Sequence, residues 1–166
     1  CTLPKAPDII VSPVSAPIQY EYSMTTEQLG RMKSSTVSPY APGTDTATGG
    51  LRHDRPRIET QVQMGMLSYE SLGLACLWYD SIRISIQLSP KRYIAKDTKG
   101  RVCREAIKEH EVRHVNVDRT VINNYAQDIG RAVKEAVDGV GVIGPYNYHE
   151  LESVQNKLVR HIEAAV

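Results

Sequence analysis

Apolar and polar residues alternate along three stretches of this chain. Ile18, Tyr20, Tyr22 and Met24 alternate with Gln19, Glu21 and Ser23. Ile58, Thr60, Val62, Met64 and Met66 repeat the pattern, and Ile82, Ile84, Ile86 and Leu88 alternate with Arg83, Ser85 and Gln87. A period of two places successive side chains on opposite faces, so each stretch predicts a strand with one buried face. Residues 74–79 are more uniformly apolar and predict a further strand, with Asp80-Ser81 as an interruption or bend. From about residue 99 to 137 the spacing changes to three and four. Ile107, His110, His114, Val121, Tyr125 and Ala132 then share one helical face, expected to point at the core. Gly139, Gly141, Gly144 and Pro145 break this helix, and residues 148–165 predict a second one along Leu151, Leu158 and Ile162. Strands followed by helices make the class α+β: an antiparallel sheet of about four strands, a long helix and a C-terminal helix.

Between these elements the composition changes. Pro4, Pro7, Pro13 and Pro17 predict an extended tether over residues 1–17, with at most a short strand at Ile9-Ile10-Val11. Thr25, Thr26 and Gln28 offer a capping pattern for a short helix to about Lys33. Residues 34–57 are rich in Ser, Thr, Pro and Gly and predict a long solvated loop ending near Arg52-His53-Asp54-Arg55. Residues 18–166 then form a single domain. Twenty basic against nineteen acidic side chains give no electrostatic case for nucleic acid as a partner. No apolar run is long enough to span a membrane.

The three cysteines are Cys1, Cys76 and Cys103. Cys1 followed by a Pro-rich stretch looks like the lipidated first residue of a mature bacterial lipoprotein; the alternative is a chain that merely starts there. Lipid on Cys1 would be the sole link to a membrane. Cys76 and Cys103 are then expected to pair, or else to be two buried thiols. The expected location is the bacterial cell envelope, periplasmic or at the outer membrane.

Candidate chemistry sits in the long helix, where residues 110–114 read His110-Glu111-Val112-Arg113-His114. In this H-E-x-x-H pattern the two histidines lie one turn apart, so both imidazoles can reach one Zn2+ ion. Glu111 lies about 100° round the helix, beside the metal, where it can take a proton from an activated water. The alternative is a solvated helix surface that carries a His pair by accident.

The motif and its setting resemble the zincin class of metallopeptidases, in which an edge strand precedes the H-E-x-x-H helix; residues 82–88 occupy that place. More narrowly, residues 58–166 are similar to a bacterial family of exported zinc-dependent proteases. That likeness rests on the strand around Cys76, on Leu88-Ser89-Pro90, and on the helix from Ile107 to His114. It implies an exported zincin-like domain. The family continues past the last helix into a Tyr-Asp segment with a further Thr and His-Gly, which these 166 residues do not include.

A zinc site of this kind takes a third protein ligand. Asp118 lies too far along the helix to be one, and is expected instead to hold His114 by its free ring nitrogen. Glu135 is excluded by the length of an unbroken helix. The C-terminal helix offers His149, Glu150, Glu152, His161 and Glu163, with His161 the leading candidate. Tyr146, Tyr148 or His149 would be available to an oxyanion. The reading is a zinc-dependent metallopeptidase acting on a peptide or protein, with Glu111 as general base and the substrate extended against residues 82–88. A zinc amidase or esterase stays open. The alternative from another class is an envelope lipoprotein, a binding or assembly module on a zincin scaffold with little or no catalysis.

Overall fold

A computed structural model describes residues 1–2, 5–32, 47–54 and 56–166. In chain order its elements are β1 (Asp8–Ser15), β2 (Gln19–Glu21), α1 (Thr26–Arg31), β3 (Gly50–His53), β4 (Arg57–Tyr69), β5 (Leu74–Leu88), β6 (Lys91–Ile94), α2 (Arg101–Val140), β7 (Ile143–Asn147) and α3 (Leu151–Glu163). The α+β class holds, but the sheets are mixed rather than antiparallel, because β2 runs parallel to β6. Contacts divide the chain into two compact units. One comprises Cys1–Pro13, Ile58–Ile86 and Asn123–Val166; the other comprises Val14–Arg57 and Gln87–Ile122.

The first unit is built on a sheet in the order β1-β5-β4, with β7 also paired to β5. Residues 8–15, expected to lie in a tether, are thus a strand of the sheet. The strand β5 is interior, with neighbours on both sides, so residues 82–88 do not offer the open edge expected of them. Its inward positions are Ala75, Leu77, Tyr79 and Ser81, then Ile82, Ile84 and Ile86. The strand is therefore unbroken at Asp80-Ser81, but the buried parity changes there from odd to even. Ala126, Ile129, Val133 and Val137 of α2 and Leu158 and Ile162 of α3 are buried in the same unit. The buried Tyr79 hydroxyl donates to the Leu158 carbonyl at 2.9 Å, and burial pushes its pKa up to about 12. Gly141, at φ 63°, lets the chain leave α2 and enter β7, an element the Gly- and Pro-rich sequence conceals.

Cys76 is bonded to Cys1, with their Cα atoms 5.7 Å apart. Cys103 is an exposed free thiol. The expected Cys76–Cys103 pair is therefore replaced by Cys1–Cys76. In this structure the Cys1 sulfur is engaged in that crosslink. Sequence spacing carries no information on the Cα distances that decide such pairings. Among the described residues no helix is long and apolar enough to cross a membrane.

The second unit holds a three-stranded sheet, β2-β6-β3. β3 runs antiparallel to β6, with Gly50 opposite Ile94 and Arg52 opposite Arg92. β3 lies inside the stretch read as loop, since four residues containing Gly50 and two charges show no alternation long enough to register. The helix α1 begins as expected at a capping box, in which Thr25 and Gln28 each satisfy the other's backbone N–H. Its Leu29 packs with Leu51 and Ala95, and Met24, Met32 and Tyr93 cover them. The first half of α2 completes the unit, and its buried residues are Glu111 and Val115. The long helix appears as expected, but its buried stripe is rotated by one residue. Val121 and Tyr125 are 46% and 63% exposed, whereas Glu111 is 5% exposed.

Candidate functional site

The helical repeat brings His110 and His114 together at the surface of α2. Their Nε2 atoms are 3.0 Å apart, and the rings stand edge to face at 86°. Two nitrogens bound to one tetrahedral zinc, each about 2.0–2.1 Å from it, lie roughly 3.3 Å apart. The pair is thus close to the spacing of two ligands on a shared ion. His110 is exposed and His114 half-buried, so the rings form the rim of the site and not its floor.

Glu111 forms the floor, the reverse of the placing expected from periodicity. Gly50 of β3 lies directly against it: a Cβ added there would sit 2.7 Å from Glu111 Oε1 and 2.8 Å from the Ile107 side chain. Only a residue without Cβ allows the strand so close to the carboxylate. On another side lies Arg92 of β6, wholly buried. Arg92 Nε donates to the Glu111 backbone carbonyl at 3.4 Å and stands 3.8 Å from Oε2. Oε2 itself is buried, with no hydrogen-bond partner among the described residues. Burial raises the Glu111 pKa above the ordinary carboxylate value, opposed by the charges of His114, Arg92, His110 and Arg52.

Arg92 anchors a wider charge cluster. Its Nη1 donates to Asp54 Oδ1 at 2.5 Å and to the Lys91 carbonyl at 3.0 Å, and its Nη2 donates to Asp118 Oδ2 at 3.3 Å. Asp118 Oδ1 accepts from Arg52 Nη1 at 2.8 Å. The sequence assigns Asp118 to steadying His114; both its oxygens are instead committed to arginines. Its pKa is raised chiefly by burial and also by the Asp54 carboxylate, against the pull of Arg52 and Arg92. A chain of charges thus runs from Glu111 to Asp54, and Arg92 is its common member.

No group of three or more His, Cys, Asp or Glu able to hold a metal ion occurs among the described residues. His161 is exposed, with Nε2 3.3 Å from the Ala136 carbonyl. Glu150 Oε2 accepts from the backbone N–H and side-chain amide of Asn147, as part of a cap. Glu152 is exposed on α3. His149, Tyr146 and Glu150 line a cavity in the first unit, and Tyr148 is 42% exposed.

Arg92, Arg52, Asp54 and Gly50 are site residues that sequence reasoning does not single out. The charged run from Arg52 to Arg55 is visible there, but as the end of a loop. Nothing in Lys91-Arg92-Tyr93-Ile94 marks the arginine as buried, because the carboxylates that meet it are those of Asp54, just past β3, and of Glu111 and Asp118 on α2.

Comparison with family models, with curated proteins and with solved structures finds no match to this chain.

Proposed function

We propose that the chain is a zinc-dependent hydrolase acting on peptide bonds, with His110 and His114 as metal ligands and Glu111 as general base. The observation that carries this reading is a pair of imidazole nitrogens 3.0 Å apart on the helix that also carries the buried carboxylate of Glu111, one oxygen of which has no hydrogen-bond partner among the described residues. A purely structural helix surface has no need of that arrangement, since an unpartnered buried oxygen is costly. The donor set suits zinc: two neutral imidazoles, with coordination positions left for water and a further donor. When bound there, zinc lowers the pKa of a coordinated water towards about 7 and polarises a carbonyl oxygen. Glu111 accepts a proton at Oε2 and returns it to the departing amine. Gly50 and Arg92 hold that carboxylate in place.

The peptide is assigned to β3. Among the described residues its one sheet neighbour is β6, so its other edge can take an extended chain by backbone pairing. β3 therefore replaces residues 82–88 in that role. The Cys1–Cys76 disulfide supports an oxidising compartment such as the bacterial envelope. The absence of a three-ligand group among the described residues favours the second reading, a binding or assembly module on the same scaffold.

Zinc titration by calorimetry tests the site. We expect one zinc per chain, with affinity falling at least about a hundredfold in His110→Ala and in His114→Ala, because the variants keep too few ligands. Near-normal affinity in either variant would place the metal elsewhere. Zinc bound to the wild type with no cleavage of a peptide library would favour the binding module.

A further inference from the structure

One helical turn beyond His114, the second unit contains a cavity of about 370 Å³. Pro56, Leu88, Val121 and Ile122 form its apolar side, and Arg52, His53, Asp54 and Asp118 its polar side. The Asp54 side chain is nine-tenths buried, at 10% exposure. Its Oδ1 accepts from Arg92 and from the Lys91 backbone N–H at 3.1 Å, while Oδ2 is buried with no hydrogen-bond partner among the described residues. An apolar sleeve ending in a carboxylate that lacks a donor fits a long aliphatic stem tipped by a cation.

We propose that this cavity is the subsite that receives a basic side chain, lysine or arginine, of the peptide, an inference that rests on the peptidase reading above. The geometry agrees with a peptide lying along β3. That strand passes Glu111 at Gly50, and its Arg52 reaches Asp118. From Glu111 to Asp118 is about 10 Å along the helix, which is the reach of roughly three extended peptide residues. The stem would pack on Leu88, Val121 and Ile122, and the ammonium or guanidinium would donate to Asp54 Oδ2.

The test uses the full chain and blocked single residues, so that binding is read without catalysis. N-acetyl-lysinamide and N-acetyl-argininamide are titrated by NMR, with N-acetyl-leucinamide as the uncharged comparison. We expect saturable binding of the basic amides with a Kd of about 1 mM or tighter, and at least about tenfold weaker binding of the leucine amide. Asp54→Asn should weaken the basic amides at least about tenfold and leave the leucine amide unchanged. If Asp54→Asn does not fold, Val121→Trp serves instead: Val121 is 46% exposed, and the indole should fill the cavity and abolish binding. Equal binding of leucine and lysine amides, no binding to wild type, or full binding in Val121→Trp would each overturn the proposal. His110→Ala separates the two readings, since it removes a zinc ligand and should leave amide binding intact. Basic-amide binding in a chain that takes up no zinc would sink the peptidase and spare the cavity.

Discussion

Glu111 Oε2 stops 3.8 Å from Arg92 Nε, near enough to feel the charge and too far for a hydrogen bond. The guanidinium is spent on Asp54, Asp118 and two backbone carbonyls, so it restrains the Glu111 carboxylate without saturating it. An acid held in this way is ordered, buried and still able to accept a proton. The same network explains why β6 tolerates a wholly buried arginine: every neighbour that could neutralise it does so in part.

Gly50 sets how closely β3 approaches that carboxylate. Gly50→Ala should destabilise the protein by about 1–3 kcal/mol, because the new methyl overlaps Glu111 Oε1 and Ile107. Gly139 in α2 is the control. A methyl group added at Gly139 would meet nothing within 4 Å, and Gly139→Ala should stabilise by up to about 1 kcal/mol through helix propensity. Chemical denaturation of the two variants checks both signs; equal stabilities would mean that β3 does not press on the floor of the site.

Asp97 ties the start of α1 to the end of β6. It accepts from the Thr26 backbone N–H at 2.8 Å and from its hydroxyl at 2.9 Å, and these bonds hold its pKa below the usual 3.8. A carboxylate with a depressed folded pKa contributes stability above its unfolded value, and that contribution is lost as pH falls through the folded one. Asp97→Ala should therefore lower the Tm at neutral pH, and the difference from wild type should shrink as pH falls below the usual 3.8. A difference that stays constant as the solution is acidified would show that the ionised form is irrelevant.

The crosslink predicts a thiol count. Without reductant only Cys103 should alkylate; with reductant in denaturant all three cysteines should. Because the bond closes a span of 75 residues, its loss should cost about 2–4 kcal/mol. Mass mapping that found a Cys76–Cys103 peptide pair would contradict the connectivity.

The long helix, the capped short helix and the alternation over residues 82–88 are legible in the sequence because their signals are local, whereas the apolar positions Tyr20, Tyr22, Ile58 and Met66 of the other two alternating stretches are exposed. The Thr25–Gln28 cap and the run from Ile82 to Leu88 each declare themselves within a few residues. What escapes depends on partners far along the chain. Arg92 is buried because Asp54 and Asp118 lie 38 and 26 residues away in sequence and meet it in space. β3 is too short for a period, and β7 contains Pro145. Periodicity misplaces the inward face of α2 by one position: Val121 and Tyr125 are exposed despite their apolar surface, and the charged Glu111 is buried. The motif itself is legible; which of its members faces inward is not.

In the proposed mechanism Glu111 is the base of a zinc hydrolase and not a support for the fold. Glu111→Gln keeps the shape of the side chain and removes its basicity. The decisive measurement is the rate of zinc-dependent peptide hydrolysis by this variant and by wild type at matched zinc occupancy. If Glu111 is the base, zinc stoichiometry is unchanged and the rate falls at least about a hundredfold, the usual contribution of a positioned base. Hydrolysis by Glu111→Gln at the wild-type rate would contradict it.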